Sequence, residues 1–290
     1  MPRSIEDGFQ DFLIKLKAKA PETEAATRHR ASIQQCLIGN FGLTRFVRIG
    51  SFGNGTSVSG FSDIDYLASI PTARLTQSST YSLSKIRDAL DTRFPKTGVR
   101  VNTPAVAVPF GTYRSESTEV VPADYIGESN GHKVYEIADG GGGWMRISPD
   151  SHNDYVARID RRLDGKVKPL IRFIKAWKFH RSVPLSSFYL EMRVAKYAES
   201  EPSIVYDIDV ARVLKSLWDH QLAKLQEPTG FSGFVAACKS EAQREDALSK
   251  LSTAVMRAQK ARKASIDGAT SDAFYWWRLL YNEAFPNYYC

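Results

Sequence analysis

Two aspartates, Asp63 and Asp65, stand near the end of the run IGSFGNGTSVSGFSDIDYL, which extends from Ile49 to Leu67. In a strand, residues i and i+2 share a face, so both carboxylates project together while Ile64 points into the core. Carboxylates held side by side repel each other and favour a hard divalent cation between them. Magnesium suits such a pair, because it accepts a few carboxylates and completes its octahedron with phosphate oxygens and water. Upstream, Gly50 lets a phosphate approach the backbone, and the Ser51 hydroxyl and the N–H groups after it can donate to it. Strand, Gly-Ser turn, short helix and carboxylate strand thus make a compact unit for phosphoryl chemistry. Two other phosphate motifs fail here. The P-loop lysine is missing before Thr56, and the dinucleotide fingerprint cannot be laid over Gly50, Gly53 and Gly55.

A two-metal site needs a third carboxylate on a neighbouring strand. Glu119 is the best candidate, as an acid within the otherwise apolar run Thr118-Glu119-Val120-Val121-Pro122-Ala123. An unpaired charge there is costly, which argues for a purpose. Asp124, just past the proline expected to end this strand, is the fallback.

These residues need elements to hold them. Residues 5–20 and 22–40 read as amphipathic helices, the first with Phe9, Phe12, Leu13 and Leu16 on one stripe. Short strands come next, around 45–49, 63–70, 99–110 and 117–122, with a helix at 80–93. Gly140 to Gly143 form a tight or flexible connection. From about residue 151 the chain reads helical, with segments at 166–180, 187–199, 207–226, 240–264 and 271–284. The expected class is α+β, with a catalytic sheet lobe over 1–150 backed by a helical lobe over 151–290. In the helix 166–180, Val167, Leu170, Ile171, Ile174 and Trp177 form the apolar stripe, and Lys168, Arg172 and Lys175 the opposite one. The aromatic run Phe274 to Trp277, with Tyr281, reads as a helix buried on nearly every side.

The 290 residues are 43% hydrophobic and 24% charged, ordinary for a globular protein. No apolar run approaches the roughly 18 residues of a membrane span, and the N-terminus lacks a signal peptide's apolar stretch. A cytoplasmic location is the expectation. Cys36, Cys238 and Cys290 are far apart, and the five histidines lack ligand spacing, so neither a disulfide framework nor a zinc cluster is expected. The net charge of +7 fits polyanionic partners, whether nucleoside triphosphates or nucleic acid.

The stretch Gly50 to Asp65 resembles the G-S-x-x-x-G-T…S-D-I-D pattern of the bacterial relatives of cyclic GMP–AMP synthase, the CD-NTase or SMODS nucleotidyltransferases of the polymerase-β-like superfamily. Glu119-Val-Val-Pro-Ala is similar to the strand carrying the family's third acid, with glutamate in place of the usual aspartate. Tyr135 to Asp139 with Trp144 and Ser148-Pro149 looks like the joining loop. KPLIRFIKAW (168–177) and LSSFYLE (185–191) look like the two central helices, and WRLLYNEAFP (277–286) like the C-terminal signature. The resemblance implies that Lys175 and Ser187 bind the donor triphosphate, and that Phe188, or alternatively Tyr189, stacks on a base.

The activity implied by this resemblance is that of a template-independent synthase, which joins nucleoside triphosphates into a cyclic di- or oligonucleotide. Asp63, Asp65 and Glu119 would hold two magnesium ions, for which manganese can substitute. The resemblance further implies a part in anti-phage defence, through an effector that senses the product, with nucleic acid compatible but not required. Two alternatives stand beside it: a transferase acting on RNA ends or a small molecule, and a non-catalytic nucleotide- or RNA-binding relative.

Overall fold

The computed structural model describes residues 3–17, 20–111 and 116–289. The chain divides into two compact units, Ala18–Asp154 and a second that combines Met1–Lys17 with Tyr155–Cys290. The sequence pattern groups α1 (Ile5–Leu16) with the catalytic half, and the structure corrects this. Phe9 and Phe12 are fully buried, and their rings pack on Phe173, Tyr206, Trp277, Tyr281 and Phe285, all of the second unit. Burial of two such side chains contributes roughly 1.5–3 kcal/mol each, which outweighs adjacency in sequence. Ser4 starts the helix through a reciprocal capping box with Asp7.

The unit Ala18–Asp154 contains α2 (Ala20–Phe41), β1 (Arg45–Arg48), the single turn α3 (Gly50–Gly53), β2 (Ile64–Ser69), α4 (Ser79–Arg93), β3 (Arg100–Asn102), β4 (Ala105–Phe110), β5 (Glu116–Ser129), β6 (His132–Ala138) and β7 (Trp144–Ile147). The strands make a mixed sheet ordered β1-β2-β5-β4-β3, and β5 also pairs with β6, which pairs with β7. β2 and β5 run parallel, whereas β1–β2, β3–β4 and β4–β5 are antiparallel. One face of the sheet, with Ile64, Tyr66, Val106, Val108 and Val120, packs on Ile33 and Leu37 of α2 and on Leu83, Ile86 and Leu90 of α4. The other face, with Leu67, Ala105, Val121 and Ala123, is covered by Tyr135, Ile137 and Ile147. This alternation is the period of two that the sequence shows at Asp63-Ile64-Asp65.

Pro122 does not end β5, contrary to expectation. It lies inside a 14-residue strand, paired with Ala68 of β2, and beyond it the strand passes to β6 with a register shift between Tyr125 and Gly127. A proline lacks only the N–H, so a strand that is changing partners can absorb it. The glycine run after β6 is a closed turn. Asp139 accepts from the N–H groups of Gly141 (2.7 Å) and Gly143 (3.0 Å), and Ser79 N–H donates to the Gly142 carbonyl (3.0 Å).

The second unit is helical, with α5 (Pro149–Arg162) beginning before the division, then α6 (Val167–His180), α7 (Ser187–Glu199), α8 (Tyr206–Asp219), a hairpin of β8 (Leu225–Gln226) and β9 (Phe234–Val235), α9 (Glu241–Ile266) and α10 (Thr270–Leu280). The expected helix 207–226 stops at Asp219. Gln221 and Leu222 turn into the left-handed region (φ 49° and 52°), which sends Leu222 and then Leu225 inward and opens the hairpin. α10 stops at Leu280, where the Arg257 guanidinium donates to the Leu279 carbonyl (2.8 Å) and Arg181 Nε to that of Leu280 (3.2 Å). The aromatic run of α10 is not buried on every side: Phe274, Trp277 and Tyr281 are interior, but Tyr275 is exposed and Lys260 lies over the Trp276 ring. Cys36 and Cys238 are free thiols.

Candidate active site

The site starts from the β1–β2 pair. Ile49 N–H donates to the Asp65 carbonyl (2.8 Å), which brings the residue before α3 against the middle of the aspartate segment. Gly50 is next, with φ +59°, a conformation that disfavours any side chain. Space demands glycine as well, because a Cβ built there would lie 2.0 Å from Oδ2 of Asp65. The Asp65 carboxylate therefore sits directly over the bare α-carbon of Gly50. Gly53 is similarly tight, its absent Cβ facing the Arg48 carbonyl at 2.8 Å.

The turn is braced from below. N–H groups of Gly53, Asn54 and Thr56 donate to the carbonyls of Ile49 (3.1 Å), Gly50 (2.9 Å) and Ser51 (2.7 Å), and Asn54, Thr56 and Ser57 are buried. Those three N–H groups are spent inside the turn, so the expected donation to a phosphate does not extend to them. Val58 N–H donates to Ser62 Oγ (2.9 Å), closing the loop that delivers Asp63.

Asp63 is exposed and immediately precedes β2; Asp65 is half-buried on it, with Ile64 buried between them. In the parallel β2–β5 pair, Asp65 is in register with Glu119 and Ile64 with Thr118. Residues in register share a face, so Glu119 lies beside Asp65 on the open continuation of the face carrying Leu67 and Val121. Asp124 does not belong to this row. It lies past the paired stretch, where it accepts a hydrogen bond from Thr72 Oγ1 (2.8 Å). Oε1 of Glu119 accepts from Asn102 Nδ2 at 2.5 Å. Among the described residues, no three His, Cys, Asp or Glu side chains already converge as a metal cluster. The donors fit magnesium nonetheless: they are hard carboxylate oxygens, and the Gly50 cradle fixes Asp65 among them.

The helical unit places the triphosphate candidates differently from the sequence expectation. Lys175 is fully buried, and its Nζ forms an ion pair with Glu191 Oε1 at 2.7 Å, tying α6 to α7. An ammonium enclosed this way does not reach a ligand. The expected stripe Lys168, Arg172 and Lys175 is broken because α6 is buried on nearly every side. One turn on, Lys178 Nζ donates to Ser187 Oγ at 2.7 Å, so Lys178 is the lysine that shares a position with Ser187. The missed signal was Glu191: an acid within the apolar face of α7 requires a buried base.

Ser187 opens α7, and the preceding Ser186 caps it by accepting from Tyr189 N–H (3.2 Å). Phe188 is half-buried. Tyr189 is not a base-stacking group: it is enclosed, its hydroxyl donates to the Ala223 carbonyl (2.8 Å), and burial pushes its pKa up. Arg172 is held below its ordinary pKa by burial, against the opposing effect of Asp160 and Glu191. Residues 18–154 carry equal numbers of basic and acidic side chains, and so do residues 1–17, so the whole +7 excess falls on residues 155–290.

Comparison with known proteins identifies the family. Residues 4–159 match the family model of the Second Messenger Oligonucleotide or Dinucleotide Synthetase (SMODS) domain. A probable cyclic nucleotide synthase of Bacillus cereus (strain VD146) is 29% identical over 142 residues, which span 48% of this chain and 43% of that protein. The chain thus matches less than half the length of that relative. Among solved structures, Escherichia coli MS115-1 CdnC with ATP aligns over 97% of this chain and 99% of its own (TM-score 0.75, 18% identity). Vibrio cholerae DncV cyclic AMP-GMP synthase, in complex with a linear intermediate, aligns over 99% and 98% (TM-score 0.73, 14% identity). The fold is the α+β fold of these structures. With the family model matched over more than half its length, the chain belongs to the SMODS family of second messenger oligonucleotide or dinucleotide synthetase domains.

Proposed function

We propose that this chain joins nucleoside triphosphates without a template and closes them into a cyclic di- or oligonucleotide. The observation that carries this reading is Asp65, seated over the bare α-carbon of Gly50 and in register with Glu119. A carboxylate pair against a phosphate-admitting turn suits phosphoryl transfer and little else.

Asp63, Asp65 and Glu119 would hold magnesium, with Mn2+ as a substitute. When bound, the metal supplies positive charge that acidifies an attacking ribose hydroxyl and offsets charge on the departing pyrophosphate. Ser51 binds the incoming triphosphate at the start of its turn. Lys178, with Ser187, takes the place expected of Lys175 and offsets phosphate charge with an ammonium and a hydroxyl. Phe188 is the residue proposed to stack on a base. Both hydroxyl and ammonium are already oriented by their mutual hydrogen bond, which lowers the ordering cost when the nucleotide arrives. The concentration of the +7 charge in residues 155–290 supports a polyanionic ligand there. A cytoplasmic setting and an effector that senses the product in anti-phage defence complete the proposal.

The test is incubation of the pure protein with all four NTPs and magnesium, phosphatase treatment, and separation of surviving nucleotides. A phosphatase-resistant product, absent with Asp63→Ala, is expected, and omission of single NTPs names its bases. Extension of added RNA without any cyclic product would overturn the cyclase reading in favour of an RNA-end transferase. NTP binding without turnover under every condition would favour the non-catalytic relative.

A further inference from the structure

A glutamate in the third-acid position raises a positioning problem. Its carboxylate hangs on one more rotatable bond than an aspartate's, so the shared register with Asp65 does not by itself fix where its oxygens lie. The sheet supplies a solution two strands away.

On β4, Ala107 is in register with Glu119 of β5, and Ala105 is in register with Asn102 of β3. Two residues apart on one strand, Ala105 and Ala107 point to the same face, and their partners share it. Both alanines are buried and short. A longer side chain at either position would stand between β3 and β5 on that face. Over them the Asn102 amide reaches across β4 and donates Nδ2–H to Glu119 Oε1 at 2.5 Å. Asn102 is an exposed residue on the edge strand, so this hydrogen bond is not explained by a need to satisfy a buried amide.

We infer that Asn102 is a positioning residue for Glu119: it holds one carboxylate oxygen from across β4 and so sets the longer acid for divalent-cation binding beside Asp65. The inference rests on the reading of Asp63, Asp65 and Glu119 as a metal site. A neutral amide donor suits this role, because it orients a carboxylate without adding a charge that would repel the cation. Ligating carboxylates are commonly held by such outer partners, and loss of the partner costs about 10–100-fold in metal affinity.

The test is direct Mn2+ titration of the purified protein, read by electron paramagnetic resonance and without turnover, alongside thermal unfolding in the absence of metal. Asn102→Ala is expected to weaken Mn2+ binding by about tenfold or more with an unchanged metal-free unfolding midpoint. In Glu119→Ala protein the further change Asn102→Ala should alter nothing, since its route of action is gone. Wild-type protein that binds no Mn2+ would overturn the metal reading itself. Wild-type binding matched by Asn102→Ala would overturn this inference alone. So would tighter binding by Asn102→Ala, which would mean that the amide draws Glu119 away from the cation, and so would an equal loss in the Glu119→Ala background.

Discussion

In residues 18–154 the acids with a chemical reading stand on the open face of a sheet, whereas in the helical unit the decisive charges of the α6–α7 pair are divided between interior and surface. Asp65 and Glu119 are brought together by backbone register. Lys175 and Glu191 are brought together by burial, and Lys178 and Ser187 by a hydrogen bond one helical turn away. A strand exposes alternate residues by rule, so a polar residue in it declares its side. A helix enclosed on nearly every side offers no such rule, and a lysine on it can serve the fold as readily as a ligand. The contrast can be broken at four points.

The largest effect is expected at the buried ion pair. Lys175→Met leaves Glu191 charged and enclosed without the ammonium it is paired with, a change that costs about 3–5 kcal/mol when a buried pair is broken. Denaturant unfolding should show that loss. Adding Glu191→Leu should restore most of it, because two apolar side chains of similar volume need no desolvated charge. If Lys175→Met instead kept its stability and lost nucleotide affinity, Lys175 would be a ligand after all, and the division between the two lysines would fail.

On the sheet side, Gly50→Ala is expected to reduce turnover by about 10²–10³-fold, the scale of removing one preorganised charge-stabilising group. The new methyl would have to displace the Asp65 carboxylate, 2.0 Å from its ideal position. Nearly normal turnover would show that the cradle is not needed. Steady-state synthesis of cyclic product measures it, with metal-free unfolding as the control for folding.

What the sequence made legible obeys the same contrast. The Gly50-Ser51 turn, the Asp63–Ile64–Asp65 alternation and the position of Glu119 could all be read, because a turn, a period of two and an isolated acid are local patterns. Partner choice was not local. Nothing in the spacing shows that β5 runs on through Pro122 to pair with β6, or that α1 packs its two phenylalanines among residues 173 to 285. Likewise Lys175 and Lys178 are three residues apart and chemically alike, and only the position of Glu191 on the next helix separates them. The start of the hairpin at 225–235 reads as helix in the sequence, since its two-residue strands are too short to show alternation.

Lys178→Ala should leave stability nearly unchanged and raise the KM for nucleoside triphosphate by about tenfold, as expected for loss of one charge-assisted hydrogen bond at a half-buried position. This is the mirror image of Lys175→Met, which should change stability and spare KM. Side-by-side KM and unfolding measurements on the two variants turn the assignment of the lysines into a single crossed comparison. Equal effects of both variants on KM would remove the distinction.

The smallest expected effect lies at two adjacent serines. Ser186 caps α7 through Tyr189 N–H, while Ser187 receives the Lys178 ammonium. Ser186→Ala removes an N-cap and should cost about 1 kcal/mol of stability with little change in KM. Ser187→Ala keeps the cap and removes a hydroxyl that orients Lys178, so its effect should appear in KM for the triphosphate and not in unfolding. Neighbours of the same residue type, at the end of the same helix, should therefore respond on different measurements. A stability loss at Ser187 equal to that at Ser186, with KM unmoved, would mean that the Lys178–Ser187 bond is one more internal tie, and that the triphosphate is held elsewhere.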